Sequence, residues 1–540
     1  MKRLLVHWAR NPFMAYEHSK GTYAFHPVFP EYLQGKFKAE SWHWQKNAYM
    51  RAAKWELHEK NYGYALTLAL KGKAYPTALR IISEGGLSVL YKHSPQELRQ
   101  ILRNATPVER ARNFNACALI LLAINLIASP QDAREERDIL MINLPADWEP
   151  SSEENARFFF LEALDSLPDS GMVEADLRKL LSFCKENEVK LPRDYFQGIF
   201  RGVVGQLGFY YRRSGTLLEN VHTLQSIYDI CGLIIKDCDG RLWHSSAEAE
   251  LNYMQGNIDT ADEILLHFLK SPWNTIDRQQ RAIIALFLYP RVALIRKTAY
   301  EFKDWKKLYK KLKAAISDDL TKTSLDMVAI HMSSLLEEPS PKQEHLIDTI
   351  NELPEYNALR TMRQSVRHRL NLSLRKYNLI LHTTETKDPY PSANASQMSR
   401  CYDAIARIGA LQYFGKAQEA SALLKSALHE SLQDYFIMPF IEHYNILKPL
   451  LLPLASDPVY AQFLQQARKM AITPISEKAL EETTLTPREQ LIISRVRDGW
   501  TNKEIADELT TIKKHLTELY KKFHVHSRTQ LLLEIDKSQK

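Results

Sequence analysis

The sequence predicts an all-α fold: a superhelix of stacked helical hairpins over most of the chain, followed by a small helical domain at the C-terminus. Three observations carry this expectation. Glycine is scarce, 18 of 540 residues, about half the average usage of ~7%. Apolar residues recur at i, i+3 and i+4 rather than in strict alternation, which is the spacing of amphipathic helices. Pairs of such runs are joined by short turns containing Gly or Asp, so each pair buries its apolar face only against its neighbours.

Residues 1–45 are rich in aromatics and Pro and read as a short irregular segment capping the next helix. From about Gln45 one helix follows another. Ala52, Ala53, Trp55, His58, Tyr62, Ala65, Ala69, Ala78, Ile81 and Ile82 hold helical spacing, with Ala allowing close approach of antiparallel neighbours. The clearest hairpin runs from Ala247 to Phe268. Ala247, Ala249, Leu251 and Tyr253 lead into Gly256-Asn-Ile-Asp259, then Ala261, Ile264, Leu265 and Phe268. Gly256 suits the left-handed residue that ends a helix, and Asp259 is the expected cap of the second. A second copy spans Ala404–Leu428, with Gly415 at the turn and Ala420, Leu423, Leu424 and Ala427 beyond it. These copies are tetratricopeptide-like, and they predict an α-superhelix over residues 46–470. Loops are expected at 147–153, 337–343 and 383–396, and a linker at 472–478, where Pro, Ser, Asp or Glu collect.

The last domain, 480–540, shows three helix starts. Thr486 with Pro487 and Glu489, Thr501 with Glu504, and Ser527 with Gln530 each have the spacing of a capping box. The first helix carries Leu491, Ile492 and Val496 and stops near Gly499. Ile505, Leu509, Ile512, Leu516, Leu519 and Phe523 then form an unbroken heptad-like seam.

The strings Leu485-Thr-Pro-Arg-Glu-Gln490, Gly499-Trp-Thr-Asn-Lys-Glu-Ile-Ala506, Thr511-Ile-Lys-Lys-His515, Lys522-Phe-His-Val525 and Arg528-Thr529 resemble the helix-turn-helix domain of LuxR-type bacterial regulators. Tyr23-Ala-Phe-His-Pro-Val-Phe29 with Tyr32-Leu33, and Asn11 with Phe13, are similar to the end of the winged-helix module of MalT-like large regulators of that family. The first helical hairpins and the segment Phe436–Phe440 with Leu450–Leu452 resemble the same regulators' helical body. The resemblance implies transcription control through promoter DNA. It places Lys513, Lys514 and Thr517 on the helix that reads base edges, and Lys503, Lys521, Lys522 and Arg528 at phosphates.

One departure bears on that geometry. The family has several residues more between its counterparts of Leu509 and Thr511, where this chain has Thr510 alone. The missing turn corresponds to about one helical turn of ~3.6 residues, so the apolar faces stay in phase. Two outcomes follow. Either the two helices fuse into one rod from about Asn502 to Phe523, ~33 Å at ~1.5 Å per residue, or 508–511 unwinds into a tight turn capped by Thr510 or Thr511. The unbroken seam favours fusion, and a fused rod cannot present its second half at the ~90–120° angle that groove insertion requires.

Composition bounds the rest. The net charge of +7 is mild for the length and demands no nucleic acid by itself, so a basic footprint must be local. Cys117, Cys184, Cys231, Cys238 and Cys401 form no C-x-x-C pair and fit small core residues in a reduced cytoplasm. The first ten residues hold no signal-peptide apolar run. The apolar stretch 116–128 includes Asn125 and is shorter than the ~20 residues of a membrane span. A soluble, cytoplasmic protein without a membrane partner is expected.

No enzyme is expected either. His58-Glu59 opens like a zinc-protease motif, but Tyr62 stands where the second His belongs, and no paired Cys/His ligand set or G-x-S-x-G elbow exists. No catalytic residue, metal site or cofactor is therefore predicted. No G-x-x-x-x-G-K-[ST] occurs, so the chain corresponds to the back half of a MalT-like regulator without its ATP-binding domain. Gly202-x-x-Gly205-x-x-Gly208 reads as close helix packing. Two function classes follow. One is a DNA-binding regulator, a possible homodimer, whose superhelix senses a small molecule or protein. The other is a helical-repeat interaction scaffold whose degenerate terminal domain no longer reads DNA and whose 505–523 seam mediates self-association.

Overall fold

One backbone turn recurs between successive helices and sets where they stop. The helix Trp42–His58 ends, Lys60 takes a left-handed conformation (φ 60°), and the next helix, Tyr62–Lys71, begins. The same step, with the left-handed residue two positions past the helix and the next helix two positions later, is built on Lys73 before Tyr75–Gly85, on Gly256 between Arg241–Met254 and Ile258–Lys270, on Arg375 between Arg360–Ser373 and Tyr377–Glu385, and on Gly415 between Gln397–Tyr413 and Ala417–Leu432. Each turn closes by the same pair of bonds. Asn61 N–H donates to Glu56 O (2.9 Å) and Lys60 N–H to Leu57 O (3.0 Å); Asn257 and Gly256 do the same to Asn252 O (2.8 Å) and Tyr253 O (3.0 Å). This is the Schellman pattern, which satisfies the carbonyls that a helix leaves open at its end.

The computed structural model describes residues 14–17, 22–25, 28–200, 205–273, 275–296, 299–316, 319–336, 348–349, 353, 359–385, 396–472, 487–497, 500–509, 515–517, 519–520, 525 and 527–531. Over these the protein is all-α with a superhelical body. A two-stranded antiparallel hairpin near the N-terminus is the exception, Met14–Glu17 on Thr22–Phe25, with Met14 opposite Phe25. The all-helical expectation did not include it. Contacts divide the chain into two units, Met1–Ala123 with Glu135–Glu149, and Ile124–Arg134 with Pro150–Lys540.

In the first unit the hairpin is followed by the helix Val28–Ala39 and then by antiparallel pairs. Ala53, Leu57, Ala65, Ala69, Ala78, Ile81 and Ile82 are buried, whereas Trp55 and His58, expected on the same stripe, are exposed. The buried set follows Ala53 and Leu57 at i, i+4, and Trp55 falls on the opposite flank of that helix. Ser94 with Glu97 and Thr106 with Glu109 form complete capping boxes, each with Pro at the first helical position. The buried Arg110 donates to Leu102 O (2.7 Å), Asn143 O (2.9 Å) and Arg103 O (3.2 Å), satisfying carbonyls at helix ends.

In the second unit the helices stack in chain order from Ser152 to Glu385, and then the chain returns on itself. The segment 396–442 packs against 205–254. Ile437 N–H donates to Met254 O (3.0 Å) and Gln397 N–H to Tyr211 O (2.8 Å). Asp434 accepts from Tyr211 Oη (2.5 Å), Gly215 N–H (2.6 Å) and Leu217 N–H (3.0 Å), so it caps the helix Leu217–Ile234 from more than two hundred residues away. Nearest-neighbour stacking alone does not describe this unit.

The two hairpins singled out in the sequence are present. Gly256 and Gly415 adopt left-handed φ of 78° and 73°. Asp259 is not the cap: Asn257 stands there, and Asp259 pairs with Arg296 in the first turn. Cys117, Cys184, Cys231 and Cys401 are buried and Cys238 is half-buried. Gly205 and Gly208 sit at close packing positions. An added Cβ would lie 2.9 Å from Glu250 Oε2 and 2.6 Å from Met398 Cε respectively. Gly202 lies outside the described residues.

Glu250 is buried and accepts from the backbone N–H of Gln206 (2.9 Å) and Leu207 (3.0 Å). Burial outweighs these bonds and pushes its carboxyl up to about 7 from 4.5. The folded state therefore binds this proton more tightly than the unfolded chain. The resulting stabilisation is complete below about pH 4.5 and is lost as pH rises through 7. E250Q cannot ionise, but its one amide oxygen can replace only one of the two carboxylate oxygens that accept from Gln206 and Leu207. Its melting temperature relative to wild type should therefore rise from pH 5 to pH 8; a difference that stays constant across this range would exclude the ionisation. The turn glycines separate two costs. G415A meets no atom within 4 Å and carries only left-handed strain, about 1–2 kcal/mol. G256A also brings its Cβ to 3.1 Å from Ile437 Cγ2 and 2.9 Å from Gln466 Nε2, so denaturant unfolding should show the larger loss there.

Candidate nucleic-acid interface

The C-terminal module is built from short apolar spacings closed by caps. The helix Pro487–Arg497 presents Ile492, Ile493 and Val496 inward. Leu491, expected in this set, is exposed, because Ile493 at i+1 and Val496 at i+4 of Ile492 define the buried face. Thr501 caps the helix Asn502–Leu509. Its hydroxyl accepts from Glu504 N–H (3.3 Å), and its N–H and hydroxyl donate to the Glu504 carboxylate at 2.6 and 2.8 Å. Those bonds hold the Glu504 carboxyl below its ordinary range. Ser527 accepts from Gln530 N–H (3.2 Å) at the start of the last helical turn. Thr486, the first expected cap, lies outside the described residues.

One hydrophobic cluster joins these pieces: Ile492, Ile493, Val496, Ile505, Leu516, Leu519 and Leu531, with Trp500, Ala506, Tyr520 and Val525 packed around it. The seam positions Ile505, Leu516 and Leu519 therefore face the interior of their own module, which removes them from a surface for self-association. The choice between a fused rod and a tight turn falls on residues 510–514, outside the described residues.

The site residues divide into three groups. Lys503 is exposed in the first turn of Asn502–Leu509. Thr517 is exposed on a helical turn whose neighbour Leu516 is buried, so it stands on the outward face. Lys513, Lys514, Lys521 and Lys522 lie outside the described residues. Arg528 is engaged within the module. It donates to Asn502 Oδ1 (2.8 Å), Val496 O (3.3 Å) and Trp500 O. One guanidinium thus holds the end of the first helix, the loop after it and the start of the second. Arg495 lies over the Trp500 ring, 4.6 Å from its centroid, and fixes the same corner. The structural use of Arg528 was missed in the sequence. The signal was its place at the start of a helix, where a cation opposes the helix dipole and must be held by other partners.

Charge is uneven across the module. Residues 510–531 carry Lys513, Lys514, Lys521, Lys522 and Arg528 against Glu518 alone, whereas 485–509 are close to balanced. The local basic footprint thus belongs to the second half.

Residues 483–534 match the family described as bacterial regulatory proteins, luxR family. The chain is similar to the transcriptional regulatory protein ComA of Bacillus subtilis (strain 168), 34% identical over 128 residues, which cover 22% of this chain and 54% of that relative. The chain thus spans about half the length of the curated relative it matches. No solved structure matches it.

The Arg528 clamp makes a definite expectation. R528A should lower the opening free energy of the module by about 1.5–3 kcal/mol, the cost of losing hydrogen bonds from a charged donor. Hydrogen exchange at the Ile505 and Leu531 amides measures it, and unchanged protection there would assign Arg528 to the surface.

Proposed function

We propose that this protein is a DNA-binding transcriptional regulator of the LuxR type, cytoplasmic, with a MalT-like, tetratricopeptide-like body at 46–470 that senses a small molecule or protein and a DNA-binding domain at 480–540. The observation that carries the reading is the luxR-family match at 483–534, on a module whose described residues close a single apolar core around three helical pieces. The ComA similarity supports the same class of activity. The hairpin at 14–25 followed by a helix is consistent with a winged-helix remnant at 1–45. Among the described residues no helix is long and apolar enough to cross a membrane.

In this reading Lys513, Lys514 and Thr517 meet base edges, and Lys503, Lys521 and Lys522 neutralise phosphates. Arg528 acts by shaping the module that carries them. The scaffold alternative rests on the shortened turn. Its proposed self-association seam has three positions consumed by the module's own core, so the DNA-binding reading is the better supported. Homodimerisation, if it occurs, must use another surface.

An electrophoretic mobility shift on the region upstream of its own gene, against random DNA and over a salt series, tests the reading. Thr517→Ala should weaken binding to the preferred sequence by roughly tenfold, within the ~1–3 kcal/mol of a base contact, and leave random DNA unchanged. Lys503→Ala should weaken both equally and reduce the salt slope by about one. Equal affinity for upstream and random DNA would favour the scaffold.

A further inference from the structure

Six helices of the second unit converge on a cavity of about 70 Å³, several times the ~10–15 Å³ that one water requires. Most of its wall is apolar, with Phe287, Leu288, Met362, Val366, Leu372 and Met398 among the lining residues. Its polar groups are unusual in kind. Arg291, 2% exposed, gives one nitrogen to Glu442 (3.2 Å) and another to His331 Nε2 (2.8 Å). A guanidinium has no acceptor, so His331 accepts through Nε2 and carries its proton on Nδ1. That Nδ1–H has no partner among the described residues, nor do the Nε–H groups of Arg291 and Arg369. All three are donors, and all three belong to residues lining the same cavity.

The charges are unmatched as well. Glu442 is the carboxylate of this cluster. It is already shared by Arg291, Tyr253 Oη (2.7 Å) and Tyr402 Oη (3.1 Å). Arg369 has no carboxylate within ion-pair distance among the described residues. Glu250, the acidic residue of the lining, has both oxygens taken by the backbone of Gln206 and Leu207. The Asp403 carboxylate near His368 is engaged by that ring (2.7 Å) and by Gln364 (3.1 Å). The Arg369 guanidinium is half-buried, with its Nε enclosed, and Glu442 acts on it only from beyond ion-pair distance, so its charge is incompletely compensated. Three unmet donors beside an unmet cation call for one thing, a ligand oxygen with negative charge.

We infer that this cavity binds a small organic monocarboxylate, with its carboxylate on Arg369, Arg291 and His331 and its short apolar body against Phe287, Val366 and Met398. This deepens the reading of the body as the sensing part of the regulator, giving the effector a chemical class and a place. A sugar or a cation fits poorly. The wall has few acceptors for hydroxyls, and the donors repel positive charge.

The test uses the full chain without DNA, so its outcome is independent of whether the C-terminal module reads promoter sequence. Calorimetry and thermal shift are run with butyrate, hexanoate and benzoate, each against its primary amide and against matched sodium chloride. The carboxylates should bind and raise the melting temperature, and the amides should not. R369Q should weaken carboxylate binding roughly ten- to a hundredfold, the range for hydrogen bonds to a charged group, while melting at or above wild type because it removes an unmatched cation. S365F, which narrows the same cavity, should exclude the longer acids first, and it serves if R369Q does not fold. The inference is overturned if no carboxylate binds beyond the chloride control, if amides bind as well as acids, or if R369Q or S365F leaves the acid affinities unchanged.

Discussion

The second unit depends on the burial of Glu442. Its carboxylate is fully enclosed and accepts from Tyr253, Tyr402 and Arg291, which arrive on the helices Arg241–Met254, Gln397–Tyr413 and Ile276–Arg296. Taking a carboxylate and a guanidinium out of water costs several kcal/mol each. Only several bonds made at once offset that, so the three helices are stable together or not at all. Because Glu442 sits on the returning segment, the same bonds fix where the chain closes. Asp434 performs the corresponding task eight positions earlier, capping Leu217–Ile234 and binding Tyr211. A stack of hairpins has no intrinsic reason to close; these two carboxylates supply one.

Arg291 owes its position to the residue before it. Pro290 lies inside the helix Ile276–Arg296 and has no N–H to give the Leu286 carbonyl four residues back. The open carbonyl accepts instead from the indole of Trp305 on the next helix, at 2.7 Å. The carbonyl that the proline leaves open is thus satisfied by a tertiary bond. The following residue is Arg291, whose guanidinium lies 3.7 Å from the Phe287 ring centroid. Burial and the Arg291 charge push His331 well below its ordinary range, so it is a neutral acceptor for the Arg291 donor. One proline, one tryptophan and one histidine therefore prepare the polar end of the cavity.

What could be read in the sequence follows from whether a feature is local. The capping box at Thr501 and the hydroxyl cap at Ser527 are legible because the bonding partners are three residues apart, and so are the glycine turns at 256 and 415. Three sister turns, at Lys60, Lys73 and Arg375, have identical geometry and were invisible, because a lysine or arginine in a left-handed conformation leaves no compositional mark. Packing of the flanking helices imposes the strain and holds it. Ala53 and Leu57 outweigh Trp55 in orienting their helix, which no count of apolar residues reveals. The partners of Glu442, Asp434 and Arg528 lie tens to hundreds of residues away, and a single sequence carries no sign of such pairings. The basic residues of the module were legible as charge. Arg528's use was legible only against the helix dipole.

The division of labour inside the C-terminal module follows from the same bonds. A helix can present bases with a steady geometry only if its supporting corner is rigid. Here that corner is the loop at Trp500, held by Arg528 from below, by the Arg495–Trp500 stacking at its side and by the Thr501–Glu504 cap at its end. All of this chemistry precedes residue 510 or follows residue 525. Leu516 and Leu519 anchor their segment to the shared core. The shared core and the corner bonds are thus made despite the shortened connection after Leu509.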